Sequence, residues 1–193
     1  ASESMSILRF DVFMNDISII IVNYNVKEYI IPCIQSIYKN LNNHLSFEII
    51  VVDNNSKDES LKEIKSNFGE VKIIQNKINL GFSKGVNKGF KESNSNSILV
   101  LNPDTLLIDS SIKKIFSKIK RDSSIGIISP ALYGENYKIQ QSAWKTPSLL
   151  NTALSVIHLD KLNFSKNYIF KKNKYPLTVD SVSGAAFITR ASI

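Results

Sequence analysis

The sequence predicts an α/β fold with a mainly parallel central sheet, and two patterns carry this prediction. Short runs of consecutive β-branched residues, such as ISIIIVN and FEIIVV, are typical of strands that are buried on both faces, as in parallel sheets. Segments with apolar residues at helical spacing separate these runs. Because strand and helix alternate with short connections, right-handed crossovers would place helices on both faces of one sheet.

The elements follow one another from residue 16 onward. Strands are predicted at residues 16–23, 47–52, 71–75, 97–101 and 125–129. Helices are predicted at residues 26–41, 58–68 and 82–92, and a fourth begins at Asp109 as its N-cap. Residues 137–142 are predicted to be extended, residues 146–160 a helix or an ordered loop, and residues 178–189 a strand broken at Gly184. We take residues 1–15 as an N-terminal extension and residues 16–193 as one domain.

Composition narrows the functional classes. The single cysteine, Cys33, excludes an intrachain disulfide, and its place in an apolar helical stripe predicts core packing. No apolar run has the length of a transmembrane helix and no secretory signal is evident, so the expected location is cytoplasmic. The net charge of +7 predicts either a solvated lysine surface or attraction to an anionic substrate or membrane, the latter at its inner face. No nucleic-acid-binding module is recognisable.

Asparagine and aspartate cluster directly after four predicted strands. The clusters are Val22-Asn23-Tyr24-Asn25, Asp53-Asn54-Asn55-Ser56, the segment from Asn76 to Phe82, and Asn102-Pro103-Asp104. Turn and capping preferences would explain any one of them. Because ligands of such sheets bind beyond the carboxyl ends of the strands, four clusters at one edge predict a binding site there.

The residue types indicate which chemistry this edge suits. A carboxylate accepts hydrogen bonds from a pyrimidine N–H or a ribose hydroxyl. A carboxylate that faces a diphosphate needs a divalent cation between them, and Mg²⁺ is commonly held in this way. The glycines at 81, 85 and 89 would permit close approach of the backbone, but they form neither a dinucleotide fingerprint nor a Walker A motif. The two histidines, His44 and His158, give no credible catalytic triad.

Five segments carry a family resemblance, namely ISIIIVNYN, FEIIVVDNNSKDES, NLGFSKGVNKG, LVLNPDT and VSGAAFITR. In order and spacing they resemble the family 2 glycosyltransferases with a GT-A fold, in particular the bacterial rhamnosyltransferase-like branch. The resemblance implies a GT-A type, Rossmann-like sandwich and inverting, metal-dependent transfer of a hexosyl or rhamnosyl group. The donor would be a UDP- or dTDP-sugar, the cofactor Mg²⁺ or Mn²⁺, and the acceptor a glycan or lipid-linked glycan, as in polysaccharide biosynthesis.

The resemblance also implies roles for individual residues. Asp104 would bind the metal as the last residue of a D-x-D-type motif that begins here at Asn102. Asp53 would hydrogen-bond the uracil or thymine ring, with Asn55 close by. Gly184 and Ala185 would face the donor sugar or the acceptor, and residues 141–144 would border the acceptor. The remaining nucleotide-lining residues would be Val22, Asn23, Asn25, Asn79, Gly81, Phe82 and Asn87.

Two departures from the family pattern qualify these expectations. Asn102 replaces a carboxylate that often contacts ribose, which leaves the metal one protein carboxylate. The family's acidic E-D motif, whose Asp is the general base, does not occur before Ile193. We therefore expect the base beyond Ile193 and poor transfer by the 193 residues alone.

Two alternatives stay open. A sugar nucleotidyltransferase would usually carry a glycine-rich loop after the first strand, and residues 23–27 contain no glycine. A non-catalytic module that binds a nucleotide or a protein partner belongs to a different class. Substitution of Asp104 by alanine would separate a metal-dependent site from such a module.

Overall fold

The computed structural model describes residues 15–144, 146 and 176–192. Its strands are β1 (Ile17–Asn23), β2 (Phe47–Asp53), β3 (Lys72–Gln75), β4 (Ser97–Leu101), β5 (Ile127–Ile128), β6 (Ala143–Trp144), β7 (Ser181–Val182) and β8 (Ala186–Arg190). Its helices are α1 (Lys27–Leu41), α2 (Ser60–Asn67), α3 (Phe82–Lys91) and α4 (Ser111–Arg121). The predicted order of strands and helices is confirmed up to α4, with most bounds within two residues.

A six-stranded sheet in the order β3-β2-β1-β4-β8-β5 forms the centre of the fold. β1 pairs in parallel with β2 and β4, and β2 pairs in parallel with β3. β8 is antiparallel to both of its neighbours, β4 and β5. The predicted α/β fold with a mainly parallel sheet is therefore confirmed. Its one antiparallel strand in the described sheet is β8, which lies between β4 and the edge strand β5.

The two faces of the sheet bury different sets of side chains, because successive residues of a strand point to opposite faces. Ile19 and Ile21 of β1 belong to the larger core, which α1, α2 and α4 cover. Ile20 of β1 belongs to a smaller core, which also contains residues of β2 and β4 and packs against Val86 of α3. Every residue of β1 is buried, which accounts for its run of isoleucine and valine.

Several details differ from the sequence-based expectations. The N-cap of α4 is Ser110, so the assignment of Asp109 to that position was wrong by one residue. Asp109 still accepts a hydrogen bond from the Ser111 N–H, at 2.8 Å, which explains why it resembles a cap. The predicted strand at 125–129 is only two residues long. The break at Gly184 is confirmed, but its two halves belong to different sheets, since β7 pairs with β6.

Other expectations have mixed outcomes. Cys33 is fully buried in the larger core, as predicted, and His44 is exposed. The segment at residues 146–160 and His158 lie almost entirely outside the described residues, so their predictions stay predictions. Across the part of the chain that is described, none of the helices combines the length and apolarity needed to cross a bilayer.

Candidate functional site

The carboxyl ends of β1, β2, β3 and β4 meet at one edge of the sheet because these strands are parallel. Backbone hydrogen bonds continue past the strand ends. The Asn54 N–H donates to the Asn23 carbonyl and the Asn76 N–H to the Asp53 carbonyl, each at 2.8 Å. The polar residues that follow these strands are therefore held side by side, as the sequence predicted.

Asn23 and Asp53 form the buried centre of this edge, and neither is exposed to solvent. The Asn23 amide nitrogen donates to Asp53 Oδ1 at 2.8 Å, and it lies 3.0 and 2.8 Å from the hydroxyls of Ser56 and Ser60. Asn23 Oδ1 is buried with no hydrogen-bond partner among the described residues. This amide therefore joins the end of β1 to the loop after β2 and to the start of α2.

The second oxygen of Asp53 shapes the loop that follows it. Asp53 Oδ2 accepts the backbone N–H groups of Asn55 and Ser56, each at 3.1 Å. Asn55 has a φ of 68° and Asn25 a φ of 53°, a left-handed backbone that asparagine tolerates better than most residues. Asn25 Oδ1 accepts the Lys57 N–H at 2.7 Å, which joins the loops after β1 and β2.

These contacts bear on the role expected for Asp53. Both carboxylate oxygens accept hydrogen bonds from the protein, and the side chain has no exposed surface. Contact with a nucleobase would require the loop at residues 54–57 to move. The direct hydrogen bond from the base to Asp53 stays a prediction, and in this structure Asp53 orders the loop.

α3 lies close to the sheet because two of its residues have no side chain. A Cβ on Gly85 would lie 2.9 Å from Val22 Cγ1, so Val22 is covered by α3. Gly81 precedes the helix with a φ of 79°, and its N–H donates to Asn79 Oδ1 at 2.8 Å. Asn87 is exposed on α3, and no hydrogen bond joins its side chain to the other predicted site residues in the described part.

Three further residues at this edge were not among the predicted site residues. Lys88 Nζ donates to Asn76 Oδ1 at 2.5 Å, Asn76 Nδ2 donates to Asn54 Oδ1 at 2.9 Å, and Asn54 Nδ2 donates to the Gly81 carbonyl at 3.2 Å. Asn54 and Asn76 directly follow β2 and β3 and are almost completely buried. Their positions at the strand ends were a usable signal, whereas Lys88 could be found only from the packing of α3.

The end of β4 brings Asn102 beside the segment before β8. The Asn102 N–H donates to the Ala185 carbonyl at 2.8 Å. A Cβ on Gly184 would lie 3.4 Å from Phe82 Cε1, so Phe82 and Gly184 are neighbours. The Ser183 N–H donates to the Ser142 carbonyl at 2.8 Å, which places residues 141–144 beside the same segment.

Asp104 has a different environment from Asp53. It is exposed, and its carboxylate makes no hydrogen bond or ion pair with any described residue. Burial, with a smaller contribution from the negative charge of Asp104, raises the pKa of the Cys33 thiol to about 12. Cys33 Sγ lies 3.7 Å from the Asn102 carbonyl oxygen, so Asp104 is close to the end of β4 with its oxygens free.

Asp104 therefore suits a metal ion that is shared with a substrate, and it does not suit a metal ion enclosed by protein side chains alone. Within the described ranges no group of three or more His, Cys, Asp and Glu side chains could enclose a metal ion. Mg²⁺ is instead often held by one or two carboxylates together with substrate phosphates and waters. A free, exposed carboxylate at the strand edge fits this second mode.

The chain as a whole matches a known protein family. The profile of glycosyl transferase family 2 matches residues 18–193, which is nearly the whole chain. The chain belongs to glycosyl transferase family 2. The rhamnosyltransferase-like branch is not established by this match.

Curated relatives of this family 2 chain match between about three fifths and four fifths of its length. The low-salt glycan biosynthesis hexosyltransferase Agl10 of Haloferax volcanii is 36% identical over 125 residues, 62% of this chain and 37% of that protein. The dolichol-phosphate mannosyltransferase of Pyrococcus furiosus is 32% identical over 124 residues, 61% of this chain and 34% of that protein. An uncharacterised glycosyltransferase of Haemophilus influenzae is 28% identical over 172 residues, 82% of this chain and 52% of that protein. The matches thus span between about a third and a half of these relatives.

Solved structures show that the fold of this family 2 chain is of the GT-A type. TarS of S. aureus, residues 1–349, superposes with a TM-score of 0.59 at 20% identity, over 91% of this chain and 47% of that one. The mannosyltransferase PcManGT of Pyrobaculum calidifontis, solved with GDP-Man and Mn²⁺, superposes with a TM-score of 0.54 at 15% identity, over 74% of this chain and 39% of that one. At these identities the likeness concerns the fold.

Proposed function

We propose that the edge formed by β1 to β4 binds a nucleotide sugar, and that the protein transfers its sugar from a UDP- or dTDP-donor to a glycan or lipid-linked acceptor. The observation that carries this proposal is the contrast between two carboxylates at one sheet edge. Asp53 is buried and orders a loop, whereas Asp104 is exposed with its oxygens free. An exposed carboxylate among amides and backbone groups suits a diphosphate that carries a divalent cation.

Similar proteins whose structures contain bound nucleotides support a nucleotide sugar as the donor. TarS has been solved with UDP and with UDP-GlcNAc, and PcManGT with GDP-Man and Mn²⁺. We assign the donor pocket to the surface between the loop at residues 54–57, the Gly81–Phe82 turn and the Gly184–Ala185 segment. Phe82 is partly exposed beside Gly184 and would line the pocket.

Each residue has a specific task in this proposal. Asp104 would hold Mg²⁺ or Mn²⁺ at the end of β4, where Pro103 restrains the backbone. A bound cation would offset the negative charge that develops on the leaving diphosphate. Gly184 and Ala185, which the Asn102 N–H holds through the Ala185 carbonyl, would face the sugar.

Inverting transfer also needs a general base that removes the proton of the acceptor hydroxyl. Asp53 is unsuited to this task because it is buried and hydrogen-bonded, and Asp104 is assigned to the metal. We therefore propose that the residues at this sheet edge form the donor site. None of them is assigned as the general base.

A basic surface supports association with an anionic membrane that presents a lipid-linked acceptor. α4 contains no acidic residue. Its five basic side chains are all exposed, namely Lys113, Lys114, Lys118, Lys120 and Arg121. Leu106 and Ile108, in the loop before α4, are exposed by 54% and 67%. Basic residues near an anionic bilayer contribute about 1 kcal/mol each, so α4 would contribute to the attraction.

The test of the proposed function is calorimetric titration of UDP and of dTDP into the chain, with Mg²⁺ or Mn²⁺ and again with EDTA. Binding that requires the metal supports the donor site, and the preferred base narrows the donor. A nucleotidyltransferase would bind a nucleoside triphosphate and a sugar phosphate instead. A module that binds only a protein partner would give no heat with any nucleotide.

A further inference from the structure

One polar chain connects the middle of α3 to the turn that begins it. The chain consists of Lys88, Asn76 and Asn54, and it ends at the carbonyl of Gly81. Its three side chains come from α3 and from the ends of β3 and β2. Lys88 can reach the carboxyl edge because helical side chains tilt toward the helix N-terminus.

The Lys88 ammonium at one end of this chain and the Gly81 carbonyl at the other impose the same direction on every hydrogen bond between them. An ammonium group donates and cannot accept, so Asn76 must turn its oxygen toward Lys88 and its nitrogen toward Asn54. Asn54 then presents its oxygen to Asn76 and its nitrogen to the Gly81 carbonyl. Because Asn54 and Asn76 are only 2% and 5% exposed, water has little access with which to replace these partners.

The backbone of Gly81 is held at both its N–H and its carbonyl. The N–H donates to Asn79 Oδ1, and the carbonyl accepts Asn54 Nδ2 and the Gly85 N–H of α3, each at 3.2 Å. Its φ of 79° suits glycine. Phe82 follows directly, and its ring lies against Gly184. The backbone conformation of Gly81 therefore helps to set the position of Phe82 beside the Gly184–Ala185 segment.

We propose that Lys88, Asn76 and Asn54 are positioning residues for the donor site, acting through the Gly81 peptide on Phe82. The proposal rests on the proposed function, because it concerns the same pocket. None of the three needs to touch the nucleotide. They hold Phe82 in one position before the donor binds. This lowers the entropy that the site loses on binding.

The decisive variant is Asn76→Asp. The aspartate still accepts from Lys88, and the contact becomes a charge pair, so this end of the chain is retained. The aspartate cannot donate to Asn54 Oδ1. The Asn54 amide must then rotate so that its nitrogen faces the aspartate, which places its oxygen against the Gly81 carbonyl. Loss of one such hydrogen bond predicts nucleotide binding that is about tenfold weaker.

Two lysine variants on α3 complete the design. Lys88→Met removes the donor to Asn76 Oδ1 and keeps most of the aliphatic stem. Lys91→Met removes the same charge from an exposed residue of the helix that has no side-chain hydrogen bond in the described part. We expect Lys88→Met to weaken UDP and dTDP binding in Mg²⁺ about tenfold, and Lys91→Met to leave it unchanged.

The amide resonances of Gly81 and Phe82, in ¹⁵N-labelled chain without nucleotide, give a second readout. They should shift in Asn76→Asp and Lys88→Met and stay in place in Lys91→Met. If they stay in place in all three, or if Asn76→Asp binds nucleotide as tightly as the unaltered chain, the proposal is overturned. If the unaltered chain binds no nucleotide, the proposed function fails, and these resonances still decide whether the polar chain controls the Gly81 turn.

Discussion

Gly89 of α3 lies so close to Ile20 of β1 that a Cβ on the glycine would be 2.6 Å from Ile20 Cγ2. The same Cβ would lie 3.2 Å from a methyl group of Val52 on β2. Both neighbours belong to the smaller core, so neither can move without disturbing the sheet. This contact sets the distance between α3 and the strands.

Gly89→Ala should therefore destabilise the fold. Overpacking a dense core costs about 1–3 kcal/mol, which exceeds the gain of about 0.5–1 kcal/mol from helix propensity. Urea unfolding would measure the loss. Gly69→Ala is the matched control, since a Cβ there meets nothing within 4 Å, and its stability should equal or slightly exceed that of the unaltered chain. Equal stability of Gly89→Ala and Gly69→Ala would contradict the packing described for α3.

Asp104→Asn should remove the dependence of nucleotide binding on metal. The amide keeps the size of the side chain but lacks the negative charge that a divalent cation requires. Asp109→Asn is the control, because asparagine can still accept from the Ser111 N–H as Asp109 does. Calorimetry with and without EDTA should distinguish the two variants. Unchanged metal-dependent binding in Asp104→Asn would show that the metal is held elsewhere.

The thiol of Cys33 should make stability depend on pH in the alkaline range. Its pKa in the folded chain is raised to about 12, against about 8.5 for an unfolded cysteine. Between these values the folded chain keeps a proton that the unfolded chain loses. The contribution to stability is therefore complete below about pH 8.5 and falls as pH rises toward 12, by at most about 1.4 kcal/mol per pH unit.

Urea unfolding at pH 7.5 and at higher pH, for the unaltered chain and for Cys33→Ala, would isolate this effect. Other groups titrate in both proteins, so only the difference between their slopes reports on Cys33. We expect the unaltered chain to lose stability faster. Parallel slopes would mean that the thiol ionises in the folded chain at an ordinary pH.

The basic face of α4 should bind anionic vesicles. Replacing Lys113, Lys114 and Lys118 by glutamine should weaken co-sedimentation with phosphatidylserine vesicles at least about tenfold, since each lysine contributes about 1 kcal/mol. Replacing three exposed lysines elsewhere, at 39, 77 and 138, removes the same charge from other surfaces. Equal loss in the two triple variants would indicate net charge alone, and binding to neutral vesicles would contradict an electrostatic mechanism.

The sequence predicts the local elements well because their signals are local. The run ISIIIVN identifies β1, and the polar residues after each strand identify the edge where the candidate site lies. Contacts between distant segments leave no such signal. Arg190, at the end of β8, donates to the Asp122 carbonyl at 2.6 Å and also to the Ile119 carbonyl, both near the end of α4. Nothing in the spacing of the sequence indicates that this arginine caps the carboxyl-terminal carbonyls of α4.

The same limit applies to the candidate site. Residue type and position after a strand were enough to predict that Asp53 and Asp104 lie at the same edge of the sheet. They could not reveal that Asp53 is buried with both oxygens engaged, because that depends on the conformation of the following loop. Nor could they reveal Lys88, whose contribution depends on how closely α3 packs against the sheet.

The position of β8 has a consequence for synthesis of the chain. Strands β1 to β4 contact one another without it, so the parallel half of the sheet has all its strands once the ribosome has passed Leu101. β5 pairs only with β8 in the described part of the sheet, and β8 is made much later. Such non-local pairing is slow to form. The nascent chain should therefore carry the strands β1 to β4 while β4 still exposes the edge that β8 will occupy, and that edge is where a chaperone would be needed.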